Sequence, residues 1–408
     1  MTKKEINNVV IVSATRTPIG KFGESLKDFT PSQLGTIVLK DALKRAKISP
    51  SEVEEVIIGS VLQAGHGQNI ARQCAIGAGI PVEVPSYSVN KVCGSGLKSV
   101  VLGAQSIMLG NCNIILAGGT ESMSQSPYVI KKARFGLKMG NGEIVDSMIS
   151  DGLWDVFNDY HMGVTAENVA QKYNVTREEQ DEFSAISQNK VEIATKSGKF
   201  KDEIVPITIP GPKGTSSVFE QDEFPRFGTT KETLAKLKPA FKSKEQGGTV
   251  TAGNASGIND GAAAILLMSE DAAEEKVDNE GMKIMATIEG CASCGVSPDI
   301  MGMGPVYAIK QALLNANLEL ADINLIELNE AFASQSIAVI RELDLDITKV
   351  NVNGGAIALG HPIGASGTRI LTTLVHELVR RDETYGLAAL CIGGGQGIAA
   401  VIRACNLS

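Results

Sequence analysis

The sequence predicts an α/β protein built from two copies of one strand–helix unit, with a loop-rich segment inserted in the first copy. Short apolar runs rich in valine and isoleucine alternate with helical patterns at the start of the chain, which is typical of a buried, mainly parallel sheet. The composition then shifts to prolines and charges, and the strand–helix pattern later returns. We therefore predict a first half formed by residues 1–121 and 254–272, an inserted subdomain formed by residues 122–253, and a second half formed by residues 278–408.

The individual elements of the first half follow from hydrophobic spacing. Strands are predicted at residues 8–14, 53–60, 87–92, 113–117 and 262–268, and helices at residues 33–46, 69–79 and 95–110. Residues 262–268 are expected to add a last strand to this half. Within the inserted segment, residues 176–196 have amphipathic helical spacing and begin with Thr176 and Glu179, which form a capping-box pattern.

An internal repeat supports the two-copy organisation. The aligned segments are residues 39–46 with 309–316, residues 53 and 56 with 323 and 326, residues 95–96 with 366–367, and residues 116–119 with 390–394, at offsets of about 270. A further strand is predicted at residues 284–289, in the position of the first strand of the chain. Two such copies packed together would form a shared cleft, which is a common place for a binding site.

Composition limits the class of protein. The chain has 408 residues and a net charge of −8, which argues against a general nucleic-acid binder because such proteins are usually basic. Its seven cysteines do not predict a disulfide framework in a chain of this length. No apolar stretch reaches the length of a membrane span and no signal-peptide pattern begins the sequence, so we expect a cytoplasmic protein.

Four polar or reactive residues follow predicted strands. Cys93 lies in a tight Gly-x-Gly turn before a helix, where a helix N-terminus favours the nucleophilic thiolate. Asn329, His361 and Cys391 also follow strands, and ligands of open α/β sheets bind beyond the carboxyl ends of strands. The two copies would bring all four together. Taken singly, each cysteine is more often a packing residue.

Other motifs predict no additional site. Cys291 and Cys294 form a lone CxxC pair, which without further Cys or His ligands does not predict a zinc site. The sequence contains no phosphate-binding P-loop, no dinucleotide-binding glycine motif and no HExxH motif. His376 lies in a charged helical pattern and is expected at the surface.

Taken together, four long motifs resemble those of the thiolase family. They are VNKVCGSGLKS at residues 89–99, NEAFA at 329–333, GGAIALGHPIGASG at 354–367 and CIGGGQG at 391–397. The resemblance extends from VIVSATRTP at residues 10–18 to the last predicted strand. DYHMG at residues 159–163 is similar to the short-chain, biosynthetic branch of the family. The family resemblance implies a thiolase-like fold, in which two duplicated αβα units form five layers.

The resemblance also implies an activity, the condensation of two acetyl-CoA molecules to acetoacetyl-CoA and CoA and its reversal. Cys93 would carry the acetyl group, and His361 would activate the thiol of Cys93. Asn329 would hold a water near the thioester oxygen. Cys391 would be the base that removes a proton from the second acetyl-CoA. The backbone N–H groups of Cys93 and Gly393 would form an oxyanion hole.

The remaining implied residues would bind the coenzyme A thioester. They are Leu153, His161, Met162, Arg226, Phe241, Ala252, Ser256, Ala331 and Phe332. Arg226 would meet the adenine or phosphate end, Ser256 the pantetheine, and His161 with Met162 would limit the acyl chain length. No cofactor, metal, nucleic acid or membrane is expected.

Three expectations remain open on the sequence. The family implies a homotetramer, with residues 124–141 as a candidate tetramerisation loop, and the stretch Met301–Pro305 predicts no monovalent-ion requirement. An oxidant could join Cys93 to Cys391 and inactivate the enzyme reversibly. The alternative functions are a broad-chain 3-ketoacyl-CoA thiolase and a non-catalytic thiolase-like protein that binds lipid or CoA.

Overall fold

A computed structural model of the protein describes residues 7–405. The strands are β1 Val9–Arg16, β2 Gly20–Lys21, β3 Glu55–Gly59, β4 Ser86–Val89, β5 Ile114–Ser122, β6 Tyr128–Val129, β7 Val145–Asp146, β8 Trp154–Asp155, β9 Tyr160–His161, β10 Ile207–Pro210, β11 Ser216–Phe219, β12 Asn259–Ser269, β13 Ala286–Gly295, β14 Leu325–Leu328, β15 Tyr385–Ile392 and β16 Gln396–Ala404. The helices are α1 Pro31–Ala46, α2 Ile70–Gly77, α3 Ser95–Met108, α4 Met162–Lys172, α5 Arg177–Lys196, α6 Lys231–Leu234, α7 Glu270–Glu280, α8 Gly304–Ala316, α9 Ala333–Glu342, α10 Ala356–Leu359 and α11 Ser366–Arg381. No helix within residues 7–405 is long and apolar enough to cross a membrane.

The main sheet repeats one strand order in its two halves. The order is β14-β15-β16-β13-β1-β12-β5-β3-β4, with β2 paired to β12. From the junction of β1 and β13 outward, β12 corresponds to β16, β5 to β15 and β3 to β14. A parallel bridge between Ile326 and Val350 occupies the place that β4 has in the first half. The duplication predicted from the sequence offsets is therefore present in the strand order.

The prediction of a mainly parallel sheet is wrong. Only the pairs β3/β4, β3/β5 and β14/β15 are parallel, while β1 and β12 run antiparallel to both of their neighbours. The strand predicted last in the first half, β12, lies between β1 and β5 because the chain returns to the sheet centre after the inserted segment. β15 and β16 are joined by the short turn 393–395, which only antiparallel strands allow.

Helices and half-sheets form five layers. α3 and α11 lie in the central layer, where Leu97 and Leu371 share one fully buried cluster with residues of both half-sheets, including Ile57 and Leu390. α1 and α2 cover the outer face of the first half, and α8 covers the outer face of the second. The two helices of the central layer begin beside each other, which brings the loops that precede them to one place.

The inserted segment is anchored to the sheet by a buried charge. It contains three two-stranded hairpins and the helices α4, α5 and α6 outside the main sheet. Arg16 of β1 is fully buried, and its guanidinium binds the carboxylates of Glu203 and Asp222 at 2.6 and 2.7 Å. Desolvation alone would lower the pKa of Arg16, but the attraction of the two carboxylates is larger and raises it. The predicted capping box at Thr176 and Glu179 is present at the start of α5.

Three residues outside the predicted site, a histidine and two cysteines, are placed by their secondary structure. His376 is partly buried, and its Nε2 lies 2.9 Å from the carbonyl oxygen of Ala14, so the prediction of a surface histidine is wrong: α11 belongs to the central layer. Cys291 and Cys294 lie three residues apart on β13 and therefore point to opposite faces of the strand.

Candidate active site

The turn that carries Cys93 is held in an unusual backbone conformation. Val92 has φ 46°, which is sterically unfavourable for a β-branched residue. The side chain of Ser95 stabilises this turn, because its Oγ donates to the carbonyl of Val92 at 2.6 Å and accepts from the N–H of Lys91 at 2.8 Å. The sequence predicted a turn formed by the glycines, but the positive φ falls on Val92.

Gly94 is required instead for close contact with the second half of the chain. A Cβ atom at Gly94 would lie 2.4 Å from Cδ1 of Ile392, the last residue of β15. At Gly393 a Cβ would lie 3.4 Å from Cγ1 of Val92. The Cys93 turn therefore packs directly against the turn that follows Cys391.

The two cysteines differ in exposure but share one environment. Cys93 is partly exposed, whereas Cys391 at the end of β15 is fully buried. Burial and the neighbouring charge of Cys93 raise the pKa of Cys391. Both are free cysteines in the structure.

Burial favours the protonated form of Cys93. It raises the pKa of this thiol to about 11, against the opposing effect of hydrogen bonds from the backbone N–H groups of Gly393 and Cys93 itself. Desolvation therefore opposes the thiolate that the helix N-terminus favours, and the protonation of Cys93 stays a prediction. The same two N–H groups are the donors that the sequence resemblance assigned to the oxyanion hole.

His361 carries a neutral imidazole. Its side chain is buried, and desolvation together with the charge of Arg369 lowers its pKa to about 3. Its Nδ1 lies 2.5 Å from Oγ of Ser366, and its backbone N–H donates to Oδ1 of Asn259 at 3.0 Å. At neutral pH a neutral histidine can accept a proton from a protonated thiol.

Asn329 lies against the other ring nitrogen of His361. Nδ2 of Asn329 is 3.5 Å from Nε2 of His361, and the backbone N–H of Asn329 donates to the carbonyl of Ala389 on β15. Among the described residues, the buried Oδ1 of Asn329 has no hydrogen-bond partner. Buried amide oxygens are normally paired, so this atom is available to a water or a substrate.

These residues adjoin a cavity of about 470 Å³ with mostly apolar walls. Cys93, His361 and Gly393 line it, whereas Asn329 and Cys391 lie behind its wall. All nine residues assigned to coenzyme A binding line the same cavity: Leu153, His161, Met162, Arg226, Phe241, Ala252, Ser256, Ala331 and Phe332. The structure therefore places the sequence-predicted residues of both kinds around one space.

The inserted segment forms one side of the cavity through aromatic and basic side chains. The ring of His161 stacks on Phe241 with centroids 4.7 Å apart, and its Nδ1 accepts from the N–H of Gly163. Burial lowers the pKa of His161, so this ring is neutral at pH 7. The guanidinium of Arg226 lies 5.4 Å from the ring centroid of Phe224 at the exposed end.

Sequence reasoning missed part of the cavity wall and two supporting residues. The missed lining residues include Lys21, Phe22, Met123, Phe224, Ile258, Met301 and Ile363. Met123 directly follows β5, so the rule that sites lie beyond strand ends could have found it. Ser366 lies in a recognised motif and in the internal repeat, but nothing in the sequence indicates its contact with His361. Glu121, which accepts backbone N–H groups of Val61, Leu62 and Gly364, carries no sequence signal because these partners are distant in the chain.

No metal site accompanies this cavity. Among residues 7–405, no group of three or more His, Cys, Asp or Glu side chains is arranged to hold a metal ion. The polar groups that line or adjoin the cavity are the thiols of Cys93 and Cys391, the imidazoles of His161 and His361, the amide of Asn329 and the backbone N–H of Gly393.

Comparison with known families identifies this arrangement. The thiolase N-terminal domain matches residues 9–271 and the thiolase C-terminal domain matches residues 282–404. The chain belongs to the thiolase family. The thiolase-like, duplicated α/β fold expected from the sequence motifs is thereby confirmed.

Relatives of this thiolase cover nearly its whole length. The acetyl-CoA acetyltransferase of Pseudomonas aeruginosa is 58% identical over 97% of this chain and 98% of its own, and that of Cupriavidus necator is 56% identical over 98% and 100%. The crystal structure of the Bacillus anthracis acetyl-CoA acetyltransferase has a TM-score of 0.94 at 47% identity, covering 98% and 100% of the two chains. Human mitochondrial 3-ketoacyl-CoA thiolase in complex with CoA has a TM-score of 0.92 at 47% identity, covering 98% of each chain.

Proposed function

We propose that this thiolase is an acetyl-CoA C-acetyltransferase that condenses two acetyl-CoA molecules to acetoacetyl-CoA and CoA and catalyses the reverse thiolysis. The observation that carries the proposal is the shared cavity, which joins Cys93, His361 and the N–H of Gly393 to an apolar channel. The acetyl-CoA acetyltransferases at 56% and 58% identity support the acetyl substrate.

The first half-reaction transfers the acetyl group to Cys93. As the sulfur of Cys93 attacks the thioester carbon, its proton passes to Nε2 of His361. The N–H groups of Cys93 and Gly393 stabilise the negative charge on the carbonyl oxygen. CoA leaves with a proton from Cys391, whose raised pKa keeps that thiol protonated in the free enzyme.

The second half-reaction forms the carbon–carbon bond. The thiolate of Cys391 removes a proton from the methyl group of the second acetyl-CoA, and Asn329, through a bound water, stabilises the enolate oxygen with His361. The carbanion attacks the carbonyl carbon of acetyl-Cys93. The tetrahedral intermediate expels Cys93, which takes its proton back from His361, so both thiols and the imidazole return to their starting states.

The channel residues would hold coenzyme A. Arg226 at the exposed end would bind the adenine or phosphate part, and Ser256 the pantetheine. His161 and Met162 would limit the acyl chain. The substrates would be acetyl-CoA, acetoacetyl-CoA and CoA, with no cofactor. The division of the chain at residues 122 and 253, the homotetramer and the cytoplasmic location also belong to this proposal, carried by the sequence resemblance.

A broad-chain 3-ketoacyl-CoA thiolase is the second candidate, because human mitochondrial 3-ketoacyl-CoA thiolase is 47% identical with a TM-score of 0.93. Thiolysis of acetoacetyl-CoA should be compared with thiolysis of a long-chain 3-ketoacyl-CoA under the same conditions. We expect kcat/KM to favour acetoacetyl-CoA. A higher kcat/KM for the long chain would favour the second candidate.

A non-catalytic thiolase-like protein is excluded by the same assay if thiolysis is observed. The matched variants are Cys93→Ala and Cys112→Ala, since Cys112 lies beyond the end of α3 and outside the cavity. We expect activity to disappear in the first and persist in the second. Equal activity of both variants would contradict the assignment of Cys93.

A further inference from the structure

The duplication places two equivalent serines at the starts of the central helices. Ser95 is the first residue of α3 and Ser366 the first residue of α11. Each hydroxyl donates to a carbonyl of the preceding turn, Ser95 to Val92 at 2.6 Å and Ser366 to Pro362 at 2.9 Å. Both hydroxyls therefore use their one proton in a hydrogen bond to a backbone carbonyl.

The acceptor role differs between the copies. In the first copy, the backbone N–H of Lys91 donates to Oγ of Ser95 at 2.8 Å. In the second copy, no backbone group takes this place, and Nδ1 of His361 lies 2.5 Å from Oγ of Ser366. The duplicated turn has therefore exchanged a structural N–H for the catalytic imidazole.

If the hydroxyl of Ser366 donates to Pro362, which also accepts the backbone N–H groups of Ala365 and Ser366, the contact with His361 fixes which ring nitrogen carries the proton. A serine hydroxyl has one proton, and the carbonyl oxygen of Pro362 can only accept. When Ser366 donates to Pro362, the short contact with His361 is satisfied only if Nδ1–H is the donor. Nε2 of the neutral ring is then unprotonated, and it accepts the N–H of Asn329 on its 3.5 Å contact.

We propose that Ser366 is a positioning residue that fixes His361 as the Nδ1–H tautomer, with the lone pair of Nε2 available to take the proton of Cys93. The inference deepens the proposed function and rests on it for the catalytic use of Nε2. The tautomer itself is a property of the substrate-free protein, so it can be measured independently of activity.

Other donors and acceptors near the ring do not replace Ser366. Asn259 accepts the backbone N–H of His361 rather than a ring nitrogen. Asn329 contacts only Nε2, and its amide could present either its oxygen or its nitrogen to that atom. Because a flipped Asn329 would accept from Nε2–H, only the Ser366–Pro362 chain selects the tautomer that can act as a base.

Solid-state ¹⁵N NMR of sedimented enzyme labelled at Nδ1 of histidine tests the tautomer. Four histidines are present; His161 accepts at Nδ1 and His376 donates from Nε2, so both should show unprotonated Nδ1. The His361 signal, assigned by its loss in His361→Asn, should be a protonated Nδ1. An unprotonated Nδ1 at His361 in the wild type would overturn the proposal whatever the enzyme's activity.

Substitution of Ser366 tests its role. In Ser366→Ala we expect protonated Nδ1 at His361 to be partly or wholly lost, and kcat for thiolysis to fall by about 10- to 100-fold with little change in KM, since general base catalysis contributes about 10²–10⁴-fold. Ser366→Thr, which keeps the hydroxyl, should restore the Nδ1 signal and most of kcat.

The equivalent serine gives the matched control. Ser95→Ala removes the same hydroxyl from the start of α3 and disturbs the Cys93 turn, but the His361 signal should remain that of a protonated Nδ1. An unchanged His361 signal in Ser366→Ala, or the same change in Ser95→Ala and Ser366→Ala, would overturn the proposal. If the tautomer pattern is as expected but kcat of Ser366→Ala equals that of the wild type, the tautomer assignment holds and only the proposed use of Nε2 in the reaction is contradicted.

Discussion

Cys93 and His361 begin the proposed reaction as a neutral pair. Burial raises the pKa of the thiol to about 11 and lowers that of the imidazole to about 3, so a proton transfer from sulfur to nitrogen is unfavourable until a substrate arrives. The positive charge that such a transfer leaves on His361 would lie near Arg369, which opposes it. The acyl group must therefore drive the transfer, because bond formation at sulfur removes the thiolate as it appears.

Alkylation of the substrate-free enzyme checks the protonation of Cys93. Only the thiolate reacts with iodoacetamide, so below its pKa the rate should rise about tenfold for each pH unit. We expect this rise to continue to pH 10 for the labelled Cys93 peptide quantified by mass spectrometry. A rate that becomes constant near pH 7 would mean that a thiolate–imidazolium pair already exists.

At the level of single residues, the sequence identified the reacting atoms but not their environment. Motifs were sufficient to select Cys93, Asn329, His361 and Cys391. The positive φ of Val92 could not be predicted, because a β-branched residue disfavours it and the hydrogen bonds of Ser95 and Asn90 that hold the turn are visible only in the structure. The desolvation that raises the pKa of Cys93 could not be predicted for a related reason: burial depends on the whole fold, whereas the helix N-terminus was visible locally.

At the scale of elements, two loops meet at one carboxyl group. Glu121 at the end of β5 is fully buried, and it accepts the backbone N–H groups of Val61, Leu62 and Gly364 at 2.9–3.1 Å. It thereby connects the loop after β3 with the loop that joins His361 to α11. Desolvation exceeds these hydrogen bonds and raises the pKa of Glu121 to about 7.

Because its pKa is raised in the folded protein, Glu121 should make the free energy of unfolding fall as pH rises from about 4.5 to about 7. The carboxyl group has an ordinary pKa of 4.5 when exposed by unfolding, so between about pH 4.5 and 7 the folded state binds more protons, and stability decreases with pH. Urea unfolding of wild type and Glu121→Gln at fixed protein concentration should differ in slope across this range. If the free energy of unfolding changes with pH in the same way in both proteins, the pKa of Glu121 is not raised.

Strand positions were predicted more reliably than strand directions. β1, β3, β5 and β12 fall within a few residues of their predicted bounds, because buried strands carry continuous apolar runs. Strand direction depends on connections, and the segment between β5 and β12 gives no local sign of where the chain re-enters the sheet. The mixed sheet is a consequence of that return.

At the scale of the whole molecule, the inserted segment exposes an apolar arm. Between β6 and β7, Phe135 is 85% exposed and Met139 is 99% exposed, and Tyr128 and Leu137 are also exposed. Contiguous exposed apolar side chains mark interaction surfaces. This arm includes most of residues 124–141, the predicted tetramerisation loop, so a second copy of the chain is its expected partner.

The arm gives a test of the predicted homotetramer. Light scattering of the wild type should give four times the mass of the 42.9 kDa chain, and Phe135→Ser with Met139→Ser should give a smaller assembly because apolar burial is lost. Val218→Ser, a single exposed apolar residue on β11, serves as a control and should leave the tetramer intact. A wild type that does not form tetramers, or a double variant that does, would contradict this prediction.

The acyl-enzyme gives the most direct measurement of the central claim that Cys93 carries the acetyl group while Cys391 acts as the base. Acetyl-CoA should be mixed with the Cys391→Ala variant, the reaction quenched with acid and the digested peptides examined by mass spectrometry. After prolonged incubation we expect one acetyl group on the Cys93 peptide, formed more slowly than in the wild type because Cys391 also protonates the departing CoA, and no acetoacetyl-CoA because no base generates the carbanion. An unmodified Cys93, an acetyl group on another residue, or acetoacetyl-CoA formed at the wild-type rate would contradict it.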